Sequence, residues 1–327
     1  MKSKLFFSLF FALSLIVNSL VIYAAYPNRP VRLVNPYAAG GAVDTVARLM
    51  ATRYSDLWGY PVIVDNRAGA GTTIGTEIVA RAVPDGNTLL LTSGTLAANV
   101  TLYRKLPFNV INDFAPIVML VQSPYILAIH PSISARSVQE FIGLAKSKSG
   151  SITFGSVGTG SSAHLAMEYF NLLAGIHLLH VPFKGGAPSI TALLSGDIQS
   201  IFSPIQSIVP YSRIGKLRAL AISSAKRVEL VPELPTVSES GVAKYEAIGW
   251  YPILAPKGTP KDIITKVNAD AHKILNMQEV KERFRALGME PIPNTPESLG
   301  DYIKTEISRW AKVIKAAQIP IEENSAK

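Results

Sequence analysis

Val31-Arg32-Leu33-Val34-Asn35-Pro36-Tyr37-Ala38-Ala39-Gly40-Gly41-Ala42-Val43-Asp44 decides the fold. Its opening residues, mostly β-branched and apolar, read as a strand. Pro36 and the small residues through Gly41 break any regular period. Beyond them Val43, Val46, Ala47, Met50, Ala51 and Tyr54 recur at helical spacing. Strand, turn and helix then repeat: Val62-Ile63-Val64, a Gly-rich turn, a helix over Ile74–Ala82, and the strand Thr88-Leu89-Leu90-Leu91. The strands begin about 30 residues apart, the length of a βαβ unit. Such alternation predicts a mostly parallel sheet covered by helices.

The alternation restarts at Ile126-Leu127-Ala128-Ile129. Ser137 and Glu140 have the spacing of a capping box at a helix start. A strand at Ile152–Phe154, a helix over Ala163–Leu173, and strands at Leu178–Val181, Ile198–Phe202 and Leu217–Ile222 complete a second set. After Pro232 and Pro235 the pattern changes. The strand Ile253–Ala255 precedes a helix whose expected N-cap is Thr259, with Pro260 at N1 and Asp262 at N3. Thr295-Pro296 opens a last helix with Ile303, Ile307, Trp310 and Ile314 on one face. The reading is an α/β protein of two domains. Domain 1 takes residues 26–123 and 225–327, domain 2 residues 124–224, and the chain crosses near Gln122–Tyr125 and near Ala221–Ala225.

Residues 1–25 read as a secretory signal peptide: Lys2 and Lys4, an apolar run from Leu5 to Ile22, and small residues at Ala24-Ala25, with cleavage after one of these two. An uncleaved anchor is the alternative, since about 18 apolar residues nearly span a bilayer. The 327 residues are 48% hydrophobic and 17% charged, with mean hydropathy +0.25, which excludes a disordered chain. The chain has no cysteine, so disulfides, thiolate metal sites and thiol catalysis are excluded. Its net charge of +9 favours an anionic partner. Without a dense Lys/Arg run, nucleic acid is not expected.

Three turns share one design, each linking a strand to a helix: Asn35–Asp44, Thr92-Ser93-Gly94-Thr95, and Gly155-Ser156-Val157-Gly158-Thr159-Gly160-Ser161-Ser162-Ala163-His164. Small residues let backbone N–H groups approach a ligand, and a helix N-terminus attracts carboxylate or phosphate. In open α/β sheets these turns lie where ligands bind. The first and third turns are expected to clamp one anion. The candidate ligand-binding residues are Tyr37, Ala39, Gly40, Gly41, Asp44, Ser93, Ser156, Gly158, Thr159, Gly160, Ser161, His164, Lys184 and Ser203. Asp44 either pairs with Arg48 at i+4, or touches ligand, or does both. Lys184 either neutralises a ligand carboxylate or stays a solvated loop charge. A competing reading is an exported α/β hydrolase using Ser161 or Ser162 with His164, although no G-x-S-x-G elbow occurs. Gly158–Ala163 loosely matches a dinucleotide fingerprint but lacks the acid about 20 residues on. No metal spacing occurs, and neither cofactor nor catalytic residue is expected.

The order and spacing of several motifs identify the chain as similar to the Bug family, the substrate-binding proteins of tripartite tricarboxylate transporters. They are Tyr26-Pro27-Asn28-Arg29-Pro30-Val31, Gly40-Gly41-Ala42-Val43-Asp44, Val64-Asp65-Asn66-Arg67-Ala68-Gly69-Ala70-Gly71, Pro84-Asp85-Gly86-Asn87-Thr88-Leu89, Ser156–Gly160, Val181-Pro182-Phe183-Lys184-Gly185-Gly186, Gly215–Ala221, Leu234-Pro235-Thr236-Val237 and Ala255–Pro260. The resemblance implies a periplasmic, type II Venus-flytrap protein of a Gram-negative bacterium. It would hold a small carboxylate between its domains through Tyr37–Asp44 and Ser156–Ser162. It also implies a monomer whose partners are membrane transporter subunits or a sensor ectodomain. Two departures stand out. Ala39 replaces the usual proline of the first loop, and Ser203 follows Ile201-Phe202 where the family often has Asp. With few acids to meet an ammonium, the expected ligand is a carboxylate without an amino group, aromatic or hydroxylated.

Overall fold

Strand β1 (Val31–Asn35) lies in a parallel ladder between β2 (Val62–Asn66) and β3 (Thr88–Leu91) in the computed structural model, which describes residues 26–183 and 185–323. The expected signal segment, residues 1–25, lies outside the described residues. β3 continues antiparallel onto β9 (Ile248–Pro256), which pairs with β4 (Phe114–Ile129). The other end of β4 pairs antiparallel with β7 (Ser200–Pro204) and β8 (Arg218–Ile222), and β7 carries the parallel strands β5 (Thr153–Ser156) and β6 (Leu179–Pro182). The two-residue β10 (Glu290–Pro291) pairs with β4.

The alternation of side chains in each strand sets the layers. Val31 and Leu33 of β1 and Leu89 and Leu91 of β3 face one core, shared with helices α1 (Ala42–Trp58) and α8 (Lys261–Asn276). Val34 and Leu90 face the opposite core, shared with α3 (Thr95–Leu102) and α10 (Pro296–Ala316). β4 repeats this in the second half. Leu127 and Ile129 join the second core, whereas Ile126 and Ala128 enter a third with α6 (Gly186–Ser195) and α7 (Ile205–Arg213). The helical stripe read from Val43 to Tyr54 is buried along α1. Each such aliphatic side chain contributes about 1.5–3 kcal/mol.

Three local expectations change. The strand expected to begin at Ile126 is the end of the 16-residue β4, so the two halves share one strand. Its first part, through Pro124, pairs with β9, and from Tyr125 it pairs with β7. Pro124 pairs in register with Ile248 at the end of the β9 ladder. Thr259 is not the cap of α8. Its hydroxyl donates to the Pro256 carbonyl, and Pro260 takes the N-cap position. The helix read over Ile74–Ala82 is α2 (Thr73–Ala80), ending where Arg81 caps it. By contrast, Ser137 accepts from the Glu140 amide at the start of α4 (Val138–Ser147), and Thr295 from the Ser298 amide at the start of α10. α9 (Gln278–Ala286) completes the helices described beside α5 (Ser162–Ala174).

Candidate functional site

All three small-residue turns fall at the carboxyl ends of their strands, β1, β3 and β5, each followed by a helix: α1, α3 and α5. After β1, residues 38–41 are exposed, and Gly40 has only open space where a Cβ would stand. Gly41 is the N-cap of α1 and supplies no side-chain cap, so the first-turn amides of α1 have no side-chain acceptor. Asp44, only 3% exposed, fixes the turn from beneath. It accepts hydrogen bonds from the Gly40 amide, Asn66 Nδ2 and Arg48 Nε, each at 2.9 Å. Burial works to raise the pKa of this carboxyl, but those three donors and the Arg48 charge outweigh it and hold the value below the ordinary carboxylate range. Asn66 also donates to the Tyr37 carbonyl, tying the turn to β2.

Tyr37 points its phenol at Ser93, whose hydroxyl reaches Thr95 Oγ1 and accepts from the Thr95 amide. The first and second turns are therefore joined by a chain of hydroxyls. Burial pushes the Tyr37 phenol above its ordinary pKa against the opposing effect of Ser93, Thr95 and Thr92. Tyr125, at the point where β4 changes partners, hydrogen-bonds Ser162 in the first turn of α5. Its phenol is raised chiefly by burial, with Tyr37 close enough to act electrostatically. Tyr251 of β9 is also raised by burial and lies near both Tyr125 and Tyr37. Ser203 sits on β7 opposite Ile126, 5% exposed.

The turn after β5 is built differently. Ser161 caps α5 by accepting from the His164 amide at 3.3 Å. Ser156 accepts from the Gly158 amide and donates to the Gly158 carbonyl. With its proton so used, Ser156 takes its third hydrogen bond, at 2.7 Å, from His180 Nε2. The Gly160 amide donates to His164 Nδ1 at 3.0 Å, which puts the proton of the neutral ring on Nε2, 3.7 Å from Glu168. The two imidazoles stack with centroids 3.9 Å apart, and Phe154 stacks on both. Burial first, then His164, push the His180 pKa down to about 3.

This second-half turn meets the first half closely. A Cβ on Gly160 would stand 2.5 Å from Leu102 Cδ1 on α3. A cavity of about 30 Å³ remains at the junction, with Gly71, Thr95, Asn99 and Leu102 on one side and Thr159 and Gly160 on the other. That is room for about one water molecule. The turn after β5, expected with the turn after β1 to clamp an anion, also packs Gly160 toward Leu102 of α3 and shares this cavity with Gly71.

The hydrogen bonds of the hydrolase constellation do not join up. Ser161 engages the backbone of α5, Ser162 engages Tyr125, and the His164 ring engages Gly160. Among the described residues no group of three or more His, Cys, Asp or Glu is placed to hold a metal. No described helix is long and apolar enough to cross a membrane. Lys184 lies outside the described residues. Sequence reasoning missed Tyr125, Tyr251, Asn66, Asn99 and Leu102. Nothing local marks them, because strand pairing and the meeting of the halves place them.

Residues 46–319 match the family described as "Tripartite tricarboxylate transporter family receptor". Protein BugT of Bordetella pertussis is 36% identical over 292 residues, 89% of this chain and 90% of BugT. The solved structure of R. palustris Rpa4515 with adipate superposes with TM-score 0.82 at 32% identity, covering 90% of this chain and 99% of that one. Periplasmic binding protein BugD superposes with TM-score 0.79 at 33% identity, covering 91% and 100%.

Proposed function

Because the chain belongs to the tripartite tricarboxylate transporter receptor family, we propose that it captures a small dicarboxylate in the cleft between its halves. What supports this reading is that two helices, one in each half, begin behind small-residue turns at the carboxyl ends of strands. α1 begins at exposed, side-chain-uncapped Gly41, and α5 begins behind Gly158–Ser161. Each terminus attracts a carboxylate by about 0.3–1 kcal/mol, up to about 2 when partly buried. The adipate held by the Rpa4515 relative has this chemistry.

The first carboxylate is assigned to the amides of Ala39 and Gly41 at α1, the Gly40 amide being held by Asp44. The second is assigned to the Thr159 amide, the Gly158 and Gly160 amides being held by Ser156 and His164, with Ser93, Tyr37 and Ser203 offering hydroxyls between. Ser161, Ser156 and His164 hold the second turn in shape. Asp44 is committed to Gly40, Asn66 and Arg48, so it does not receive a ligand ammonium. This strengthens the expectation of a ligand without an amino group, since a desolvated ammonium left unpaired is costly. The two domains are assigned as residues 26–123 with 225–327, and 124–224. The leader at residues 1–25 sends the protein to the periplasm. There, as a monomer, it would present the loaded cleft to membrane transporter subunits; a sensor ectodomain is the other destination. It performs no chemistry on its ligand.

Calorimetry with adipate, malate and their matched 2-amino acids tests the reading. The plain dicarboxylates are expected to bind at least tenfold more tightly, about 1.4 kcal/mol. Tighter binding of the amino acids overturns the ligand class. Turnover of an ester substrate overturns the binding-protein reading.

A further inference from the structure

We propose that residues 319–323 form a strap that caps α3 and sets Leu102 where the two halves meet, with Glu322 as its positioning residue. The inference rests on the reading that the ligand lies between the halves. α3 ends at Leu102, and the carbonyl of a last helical residue has no partner inside its helix. The Glu322 amide donates to the Leu102 carbonyl at 2.8 Å, and the Glu322 carbonyl accepts from the Arg104 amide at 2.9 Å. Glu322 and Tyr103 thereby form a parallel bridge, and the chain beyond α10 lies extended along the end of α3. The Glu322 carboxylate stands beside the Tyr103 phenol, and that phenol packs against Gly71. The strap is anchored at its start, where Ile319 is buried in the second core and its amide donates to the Ile314 carbonyl of α10. Past Glu322, Glu323 pairs with Arg104 at 3.1 Å, an exposed pair that adds little.

Leu102 is the side chain of α3 that Gly160 of the second half packs toward. Pro320 and Glu322 line the same cavity of about 30 Å³ as Leu102, Thr159 and Gly160. Strap, helix end and second-half turn therefore meet at one place. Without the Glu322 amide the Leu102 carbonyl is orphaned, and the last turn of this eight-residue helix loses its support. A ligand held between two halves leaves when they part. A contact across the junction opposes that parting, so the strap acts on the rate of ligand release rather than of capture. Retention of the ligand thus depends on a segment more than 200 residues along the chain from α3.

The test follows adipate binding and release by the full exported chain in stopped flow. Glu322→Pro removes the amide that caps α3, whereas Glu322→Ala keeps that amide and removes only the carboxylate. Release should quicken between about twofold and tenfold in Glu322→Pro, the range for one lost hydrogen bond, with association unchanged. Glu322→Ala should stay within about twofold of the wild type. Leu102→Ala already lacks the side chain that Gly160 meets, so Glu322→Pro added to it should change release little further. A merely structural loss would instead lower the number of sites per chain and leave the release rate as it was. Wild-type release in Glu322→Pro, an alanine variant as fast as the proline one, or the full increase retained in the Leu102→Ala background overturns the proposal. Without ligand, the Leu102 methyl and Gly160 amide resonances should shift in Glu322→Pro and hold in Glu322→Ala. If the wild type does not bind adipate, the carboxylate reading fails, while these resonances still decide the matter: no shift in Glu322→Pro overturns the strap.

Discussion

The turns after β1 and β5 share a plan of strand, small residues and helix, yet they are secured in opposite ways. The first is held from below by a buried carboxylate, Asp44, and stands exposed at its crest. The second is held by a serine cap and an imidazole, and its crest at Gly160 is pressed against α3. Similar backbone requirements are thus met once by a charge and once by neutral polar groups. A negative charge beneath α1 also serves its dipole, whereas neutral supports leave α5 free to attract an anion.

Substituting valine in the second turn breaks that comparison most directly. Gly160 has φ +75° and Leu102 at 2.5 Å from its virtual Cβ; Gly158 has φ +133° but nothing nearer than the Phe183 carbonyl at 3.8 Å. Both variants carry backbone strain, about 1–2 kcal/mol for the left-handed Gly160 and about 1–3 kcal/mol for Gly158, whose φ is essentially confined to glycine. Gly160→Val adds a collision with the Leu102 side chain. Calorimetry with adipate should show binding lost by about a hundredfold or more in Gly160→Val, equivalent to about 2.7 kcal/mol or more. The loss in Gly158→Val should be several times smaller. Equal losses would mean that the packing of Gly160 on Leu102 plays no part.

Asp44→Asn tests the first turn. It replaces an acceptor of three hydrogen bonds by an amide whose NH2 must face existing donors, either Asn66 on one side or Gly40 and Arg48 on the other. Urea unfolding near neutral pH should lose about 1.5–3 kcal/mol, the range for hydrogen bonds to a charged group. The pH dependence has a definite sign. A carboxyl lowered in the folded state stabilises above its unfolded value of about 3.9, and that contribution fades as pH falls toward the folded value. The gap between wild type and Asp44→Asn should therefore narrow below about pH 4. A gap that widens there would contradict the assignment.

Tyr37→Phe sharpens the comparison with a smaller change. It cuts the hydroxyl chain through Ser93 to Thr95 and leaves the ring in place. A stability loss of about 0.5–1.5 kcal/mol is expected by thermal unfolding. Adipate affinity should weaken several-fold if the phenol serves the ligand as well. No change in either would confine Tyr37 to packing.

The sequence carried the fold further than it carried the site. Period-two strands and helical stripes are local patterns, and so are caps such as Ser137 and Thr295, which is why they were legible. The two-domain α/β periplasmic-binding-protein fold that the resemblance implied is the fold shared with the solved relatives. Thr259 misled because the helix starts one residue later than its Thr-Pro signal, with Pro260 at the N-cap and the Thr259 hydroxyl donating back to the Pro256 carbonyl. The turns were visible as small-residue clusters, but their supports were not. His180 lies 16 residues beyond the first helical histidine, on another strand, and only the β5–β6 ladder stacks it on His164. Tyr125 reached Ser162 in the same non-local way, through the change of partner in β4.

That shared strand bears on how such proteins can be taken apart. Pro124 ends one ladder and Tyr125 begins the next, with no unpaired residue between them. A cut at this point keeps each ladder's partners but removes the continuous strand that holds the two ladders to one another. Neither half is thus a cassette to be excised, shuffled or grafted alone. A chimera between two relatives has to keep β4 from one parent together with its β9 partner, or redesign both ladders at once.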